Sequence, residues 1–282
     1  MQRPGPLVPT DWLAAHLADP AVVILDGSFK LPGATPTAPE EYAQAHIPGA
    51  HFFDIDAIAD HSVPLPHMLP SSEDFAREMG RMGIGNDTLV IVYDRPGLMS
   101  AGRVWWTLRV FGHDNVAVLD GGLRKWQAEG RPVTSEVPAA RSARFVPQFR
   151  PELVRSRAQM MANLDSRAEQ VIDARPAARF SAAEPEARPG LRSGHMPGSL
   201  NLPFSAMTDP GTGQVLPPAA LRAAFEGAGL DLTRPITASC GSGVTAAALA
   251  FGLSLLGHDH VAVYDGAWAE WGLPGETPVE IG

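Results

Sequence analysis

Phe111-Gly-His-Asp-Asn-Val-Ala-Val-Leu-Asp-Gly-Gly-Leu-Arg-Lys-Trp126 returns further along the chain as Leu256-Gly-His-Asp-His-Val-Ala-Val-Tyr-Asp-Gly-Ala-Trp-Ala-Glu-Trp271. Other pairs follow in the same order: Val22–Asp26 with Gln170–Asp173, His46-Ile-Pro-Gly-Ala50 with His195-Met-Pro-Gly-Ser199, and Leu89–Asp94 with Pro235–Cys240. Ordered self-similarity of this length marks a duplicated unit. Each half alternates short β-branched runs with longer helical stretches, which predicts an α/β fold of two tandem domains, each a largely parallel sheet flanked by helices. Strands are expected at Val22–Leu25, Leu89–Tyr93, Val116–Leu119, Gln170–Ile172, Ile236–Ser239 and Val261–Tyr264. Helices are expected at Thr10–Ala18, Ser72–Met82, Ala101–Phe111, Leu123–Ala128, Leu153–Leu164, Pro218–Ala228 and Thr245–Leu256. Glu136 to Pro151 is rich in Ala, Arg and Pro without a sustained period, so the domains are drawn at 1–138 and 151–282 with a linker at 139–150. Two such domains offer a cleft for a small molecule.

The 282 residues are 45% hydrophobic and 19% charged, enough apolar surface for packed cores. A net charge of -9 argues against nucleic acid as a partner, because that binding runs on clustered Lys and Arg. The longest apolar stretch, Val244 to Leu256, falls short of the roughly 20 residues that span a bilayer and reads as a core helix; no membrane partner is expected. Met1 to Ala15 holds Arg3 and Asp11 but no apolar run before a small-residue cleavage site, so the cytoplasm is the expected compartment. One cysteine, Cys240, excludes an internal disulfide and any multi-cysteine metal site.

Cys240 ends an apolar strand in Ile236-Thr-Ala-Ser-Cys-Gly-Ser-Gly-Val-Thr-Ala-Ala-Ala-Leu249, with Gly241 and Gly243 bracketing Ser242 before a helix. Such glycines let successive backbone N–H groups converge as an anion nest, and the helix start adds its positive dipole end. Both favour a thiolate and equally suit a persulfide anion. A lone cysteine is more commonly a small buried hydrophobe, but an anion nest around an inert thiol serves no packing need. Cysteine-dependent phosphatases share the strand–loop–helix order, yet they need an arginine six positions on for the phosphate charge; position 246 is Ala.

The loop Cys240-Gly-Ser-Gly-Val-Thr245 and the turn Asp265-Gly-Ala-Trp268 resemble the tandem-domain rhodanese family. The resemblance runs from Thr10-Asp-Trp-Leu-Ala-Ala-His16 through Val104-Trp-Trp106 and Asp120-Gly-Gly-Leu-Arg124 to Trp271. It implies two rhodanese-like domains, the second catalytic and the first with Asp94 in place of the cysteine. It also implies a persulfide cradled by Gly241, Ser242, Gly243, Val244 and Thr245. Thiosulfate-preferring members carry Arg and Lys directly after the cysteine. Gly241 and Ser242 stand there in this chain, the pattern of members that take sulfur from mercaptopyruvate and release pyruvate. The implied acceptor is a thiol, such as a thioredoxin-like protein, or cyanide, and neither metal nor organic cofactor is implied.

A carboxylate next to a ketone calls for a fixed fork of donors. Read alone, the arginines of Asp173-Ala-Arg-Pro-Ala-Ala-Arg-Phe-Ser-Ala-Ala-Glu-Pro-Glu-Ala-Arg-Pro-Gly190 are solvated loop side chains. The resemblance makes Arg179 and Arg188 the substrate pair and leaves Arg175 structural. It also places Asp56, from Phe52-Phe-Asp-Ile-Asp56, and His67, from His67-Met-Leu-Pro70, with Ser242 as the proton-handling group. His46, His113, His195 and His258 recur in both halves and read as structural, whereas His67 has no repeat partner. Two other readings stay open: a thiosulfate sulfurtransferase, and a persulfide carrier or regulatory module with little turnover.

Overall fold

The structure is a computed structural model that describes residues 5–282; Arg3 of the N-terminal reading lies outside the described residues. The first half runs β1 (Leu7–Val8), α1 (Thr10–Ala15), β2 (Val22–Asp26), α2 (Ala38–Gln44), β3 (Ala50–Phe52), α3 (Ser72–Arg81), β4 (Leu89–Tyr93), α4 (Ala101–Val110), β5 (Val116–Leu119) and α5 (Gly122–Ala128). The second runs β6 (Val154–Arg155), α6 (Arg157–Ser166), β7 (Gln170–Asp173), α7 (Ala177–Phe180), β8 (Leu200–Asn201), α8 (Pro218–Gly227), β9 (Ile236–Ser239), α9 (Val244–Ser254), β10 (Ala262–Tyr264) and α10 (Ala267–Trp271).

Each half forms a five-stranded sheet, in the order β1-β5-β4-β2-β3 and β6-β10-β9-β7-β8. Every named pairing is parallel. Strands covered on both faces read as continuous apolar runs, and Leu-Val-Ile-Val-Tyr of β4 is buried throughout. The order reverses beside the central strand, so the crevice for a ligand lies at the carboxyl ends of β7 and β9 in the second half. Cys240 follows β9 directly.

The described chain divides into two compact units. The first holds residues 5–59, 69–150 and 208–215; the second holds 60–68, 151–207 and 216–282. His67 therefore packs as part of the second unit although it lies early in the chain. Residues 136–150 form no named helix or strand, yet they are tied down. Ala143 N donates to Gly80 O at 3.0 Å, Gln148 N to Phe111 O at 2.9 Å and Arg150 N to Val110 O at 2.8 Å, and Phe145 is buried against Phe75.

The expected helix at Leu153–Leu164 is displaced. Pro151–Leu153 is a 3-10 turn, Val154–Arg155 pairs with β10, and α6 begins at Arg157. Ser156 sets that start: its side chain accepts from Gln159 N while the Gln159 side chain accepts from Ser156 N, a reciprocal cap that satisfies two free donors.

Candidate active site

The main chain of Cys240 is pinned by α10: Trp268 N donates to Cys240 O and Ala269 N to Gly241 O, both at 2.9 Å. Gly243 caps α9 with φ 79, a left-handed conformation that only glycine adopts without strain. Its N–H then points back at the cysteine and donates to Cys240 Sγ at 3.1 Å. The thiol is 1% exposed and Ser242 8% exposed, so an anion here is screened little by solvent.

The first unit carries the same device with its anion built in. Leu123 N and Arg124 N bond Asp94 O and Arg95 O as Trp268 and Ala269 bond Cys240 and Gly241. The buried Asp94 carboxylate accepts from Gly97 N, Met99 N and Ser100 N at 2.7 Å each and from Ala101 N at 2.9 Å, at the start of α4. An acidic oxygen thus lies where a bound sulfur anion would lie in the other unit.

The unit that holds Cys240 also holds three further side chains expected from the sequence. Arg188 Nη2 donates to His67 Nε2 at 3.2 Å, which assigns the His67 proton to Nδ1 in this arrangement. His67 is buried and holds φ 59, a strained backbone for a non-glycine residue. Arg179 sits half-buried at the end of α7, and Glu186 lies close enough to feel its charge. Asp56 belongs to the first unit, where it is exposed in a turn whose N–H groups cap Asp54. The structure therefore brings His67 and Arg188 together and keeps Cys240 and Ser242 in the same unit, with Asp56 in the other.

Two groups stand behind this set: Arg175, read from the sequence as structural, and Glu186, which sequence reading passed over. Glu186, two residues before Arg188, receives Arg175 Nη1 at 2.6 Å, and the side chains are only 4% and 1% exposed. Burial pushes the Glu186 carboxyl up, against the pull of Arg175. Burial works against the Arg175 charge, yet Asp173 and Glu186 hold that guanidinium above its ordinary value. Trp268 lies under Arg175, ring centroid 4.3 Å from the guanidinium carbon. Spacing alone gave no signal for Glu186. Two of the repeated histidines are held by main-chain carbonyls: His46 Nδ1 meets Tyr42 O at 2.7 Å, and His195 Nδ1 meets Phe180 O at 2.9 Å. Among the described residues there is no cluster of His, Cys, Asp or Glu able to hold a metal, and no helix is long and apolar enough to cross a membrane.

The family model for the rhodanese-like domain matches this chain twice, over residues 9–129 and 156–273. The chain belongs to the rhodanese family. Among the curated members of that family, it is 44% identical over 274 residues to the 3-mercaptopyruvate sulfurtransferase of Escherichia coli strain K12, spanning 97% of both chains. It is equally 44% identical over 296 residues to the mitochondrial thiosulfate/3-mercaptopyruvate sulfurtransferase 1 of Arabidopsis thaliana, covering 98% of this chain and 78% of that one. The crystal structure of the rhodanese-fold 3-mercaptopyruvate sulfotransferase SseA from Escherichia coli superposes with a TM-score of 0.85 at 42% identity, covering 94% of this chain and 99% of that one.

Proposed function

We propose that this rhodanese is a sulfurtransferase that moves sulfur from mercaptopyruvate through a Cys240 persulfide to a thiol or cyanide, releasing pyruvate. The observation that carries the reading is the Cys240 loop. Its sulfur accepts a backbone N–H at the start of α9, and the same unit supplies Arg179, Arg188 and His67. The relatives' activities support the same class of reaction.

The Cys240 thiolate attacks the sulfur of the donor. The C–S bond breaks, its electron pair passes to the carbon as the pyruvate enolate, and the proton on the donor sulfur ends on that carbon. Cys240 is left as a persulfide anion, which the N–H groups of Gly241, Ser242, Gly243, Val244 and Thr245 face. Arg179 and Arg188 hold the carboxylate and ketone oxygen. Ser242, His67 and Asp56 carry the proton. An acceptor thiolate or cyanide then attacks the outer sulfur, the S–S bond breaks, and Cys240 is returned as the thiolate that began the cycle. A thioredoxin-like protein is the acceptor class we favour, and a lone cysteine without a disulfide partner fits a reducing cytoplasm.

Mercaptopyruvate is preferred over thiosulfate because neither Gly241 nor Ser242 brings a cation for a second negative charge. Pyruvate release from mercaptopyruvate by wild type and Cys240→Ser, with mass spectrometry of the donor-treated Cys240 peptide, tests the reading. One added sulfur on that peptide and an inactive variant are expected. Sulfur found elsewhere, or an active Cys240→Ser protein, overturns it, and a sulfur-loaded Cys240 without pyruvate release supports the carrier alternative.

A further inference from the structure

Arg175 lies two residues past the end of β7 with every side-chain nitrogen committed. Nε donates to Asp173 Oδ2 at 3.0 Å, Nη2 to the same carboxylate at 2.8 Å and to Gly194 O at 2.9 Å, and Nη1 to Glu186 Oε1 at 2.6 Å. The first unit shows what this guanidinium replaces. There the matching carbonyl, Ala45 O, is held at 2.9 Å by Arg95, the residue directly after Asp94. The repeat sets Arg95 against Gly241, Ser28 against Arg175, and Leu123 against Trp268. In the second unit the carbonyl clamp has moved from the loop to the end of β7. Position 241 is thereby left bare, and a Cβ added there meets nothing within 4 Å.

The relocated arginine touches both halves of the donor site. One arm holds Glu186, two residues before Arg188, and Arg179 lies on α7, which begins two residues after Arg175. Its flat face rests on Trp268, whose N–H fixes Cys240 O at 2.9 Å. We propose that Arg175 is a positioning residue of the donor site, tying the segment that carries Arg179 and Arg188 to the turn that carries Cys240. The proposal rests on the donor reading above. A planar fork satisfied on three sides is rigid in a way that a lysine is not, and a small displacement of substrate-holding groups is costly to turnover.

The test uses the full chain with Arg175→Lys and Glu186→Gln, cyanide as acceptor, and steady-state kinetics on mercaptopyruvate. Arg175→Lys should raise KM for the donor by about tenfold, with kcat within about threefold, since the arginines that bind substrate are displaced while the cysteine nest persists. Glu186→Gln should raise the same KM by a smaller factor and leave KM for cyanide unchanged. A purely structural role would lower the melting temperature without this split between KM and kcat. Should Arg175→Lys not fold, Glu186→Gln alone decides. A folded Glu186→Gln protein with wild-type KM overturns the proposal. A wild type that releases no pyruvate overturns the donor reading instead, and the two failures are told apart by which protein is inactive.

Discussion

Replacing Asp94 by alanine strips the first unit's nest of its anion while leaving the fold's apolar core untouched. Four backbone N–H groups, at 2.7 to 2.9 Å from the carboxylate, lose their acceptor in a place that is 0% exposed. An unsatisfied buried donor costs about 1–3 kcal/mol. The small alanine side chain leaves room for a water to satisfy part of the set, so the expected loss is about 4 kcal/mol, not the full sum. Against a total stability of about 5–15 kcal/mol, that is a large fraction. Asp94→Asn keeps one oxygen but turns an NH2 toward donors, and should lose about 2 kcal/mol. Urea unfolding followed by far-ultraviolet circular dichroism measures both, and amide exchange at residues 97–101 localises the effect. An Asp94→Ala protein within about 1 kcal/mol of wild type would refute the reasoning, because it would mean that these N–H groups need no anion. The persulfide would then gain little from the matching loop around Cys240.

Arg188→Ala and Arg179→Ala should each lower kcat/KM for mercaptopyruvate by about 2 kcal/mol or more, and unchanged values in both would move the donor site elsewhere. Gly241→Arg with Ser242→Lys should shift the kcat/KM ratio toward thiosulfate, because position 241 is open and each cation favours a dianion; an unaltered ratio would show that the loop does not set donor choice. A fragment of residues 151–282 lacks 60–68 of its own unit, and with it His67, so it should be slow on mercaptopyruvate; activity equal to the full chain would remove His67 from the site. Glu129 is held at about 2, first by Lys125 and then by Thr10 and Arg131. A carboxyl lowered on folding stabilises above its ordinary value near 4.5 and loses that contribution as pH falls toward 2. Glu129→Gln should therefore lower the melting temperature at pH 7, with the gap closing through that window. A gap that persists at pH 2 would contradict the assignment.

The central strands were legible because burial on both faces writes apolar runs into Leu89–Tyr93 and Val116–Leu119, and duplication displayed them twice. The edge strands β1, β6 and β8 hold two residues each, too few for any period to register. Cys240 and its glycines were readable from local order, since a strand, a turn and a helix follow within one stretch. The Arg188 contact with His67 was not, because it joins residues separated by much of the chain, and only family resemblance pointed at both. Arg175 shows what residue type alone leaves out. A buried arginine reads as structural, and its bonds to Asp173 and Glu186 are structural in kind; their bearing on the donor site emerges only from what those partners carry.

The exchanged segments set the order in which the molecule can be finished as it is made. Domains ordinarily close one after the other behind the ribosome. Here Asp120, in the first unit, accepts Val215 N at 2.8 Å and Gln214 Nε2 at 2.8 Å, and Gly97 sits so close to Gly213 that neither tolerates a side chain. The loop after Asp94 thus waits for Gly213, more than a hundred residues downstream, before it is covered. Residues 60–68 meanwhile emerge early and stay unplaced until the second unit forms around them. A nascent chain stopped after residue 150 holds a finished sheet but an open loop and a stranded His67. A cut at residue 150 therefore leaves neither half with all the residues of its own unit.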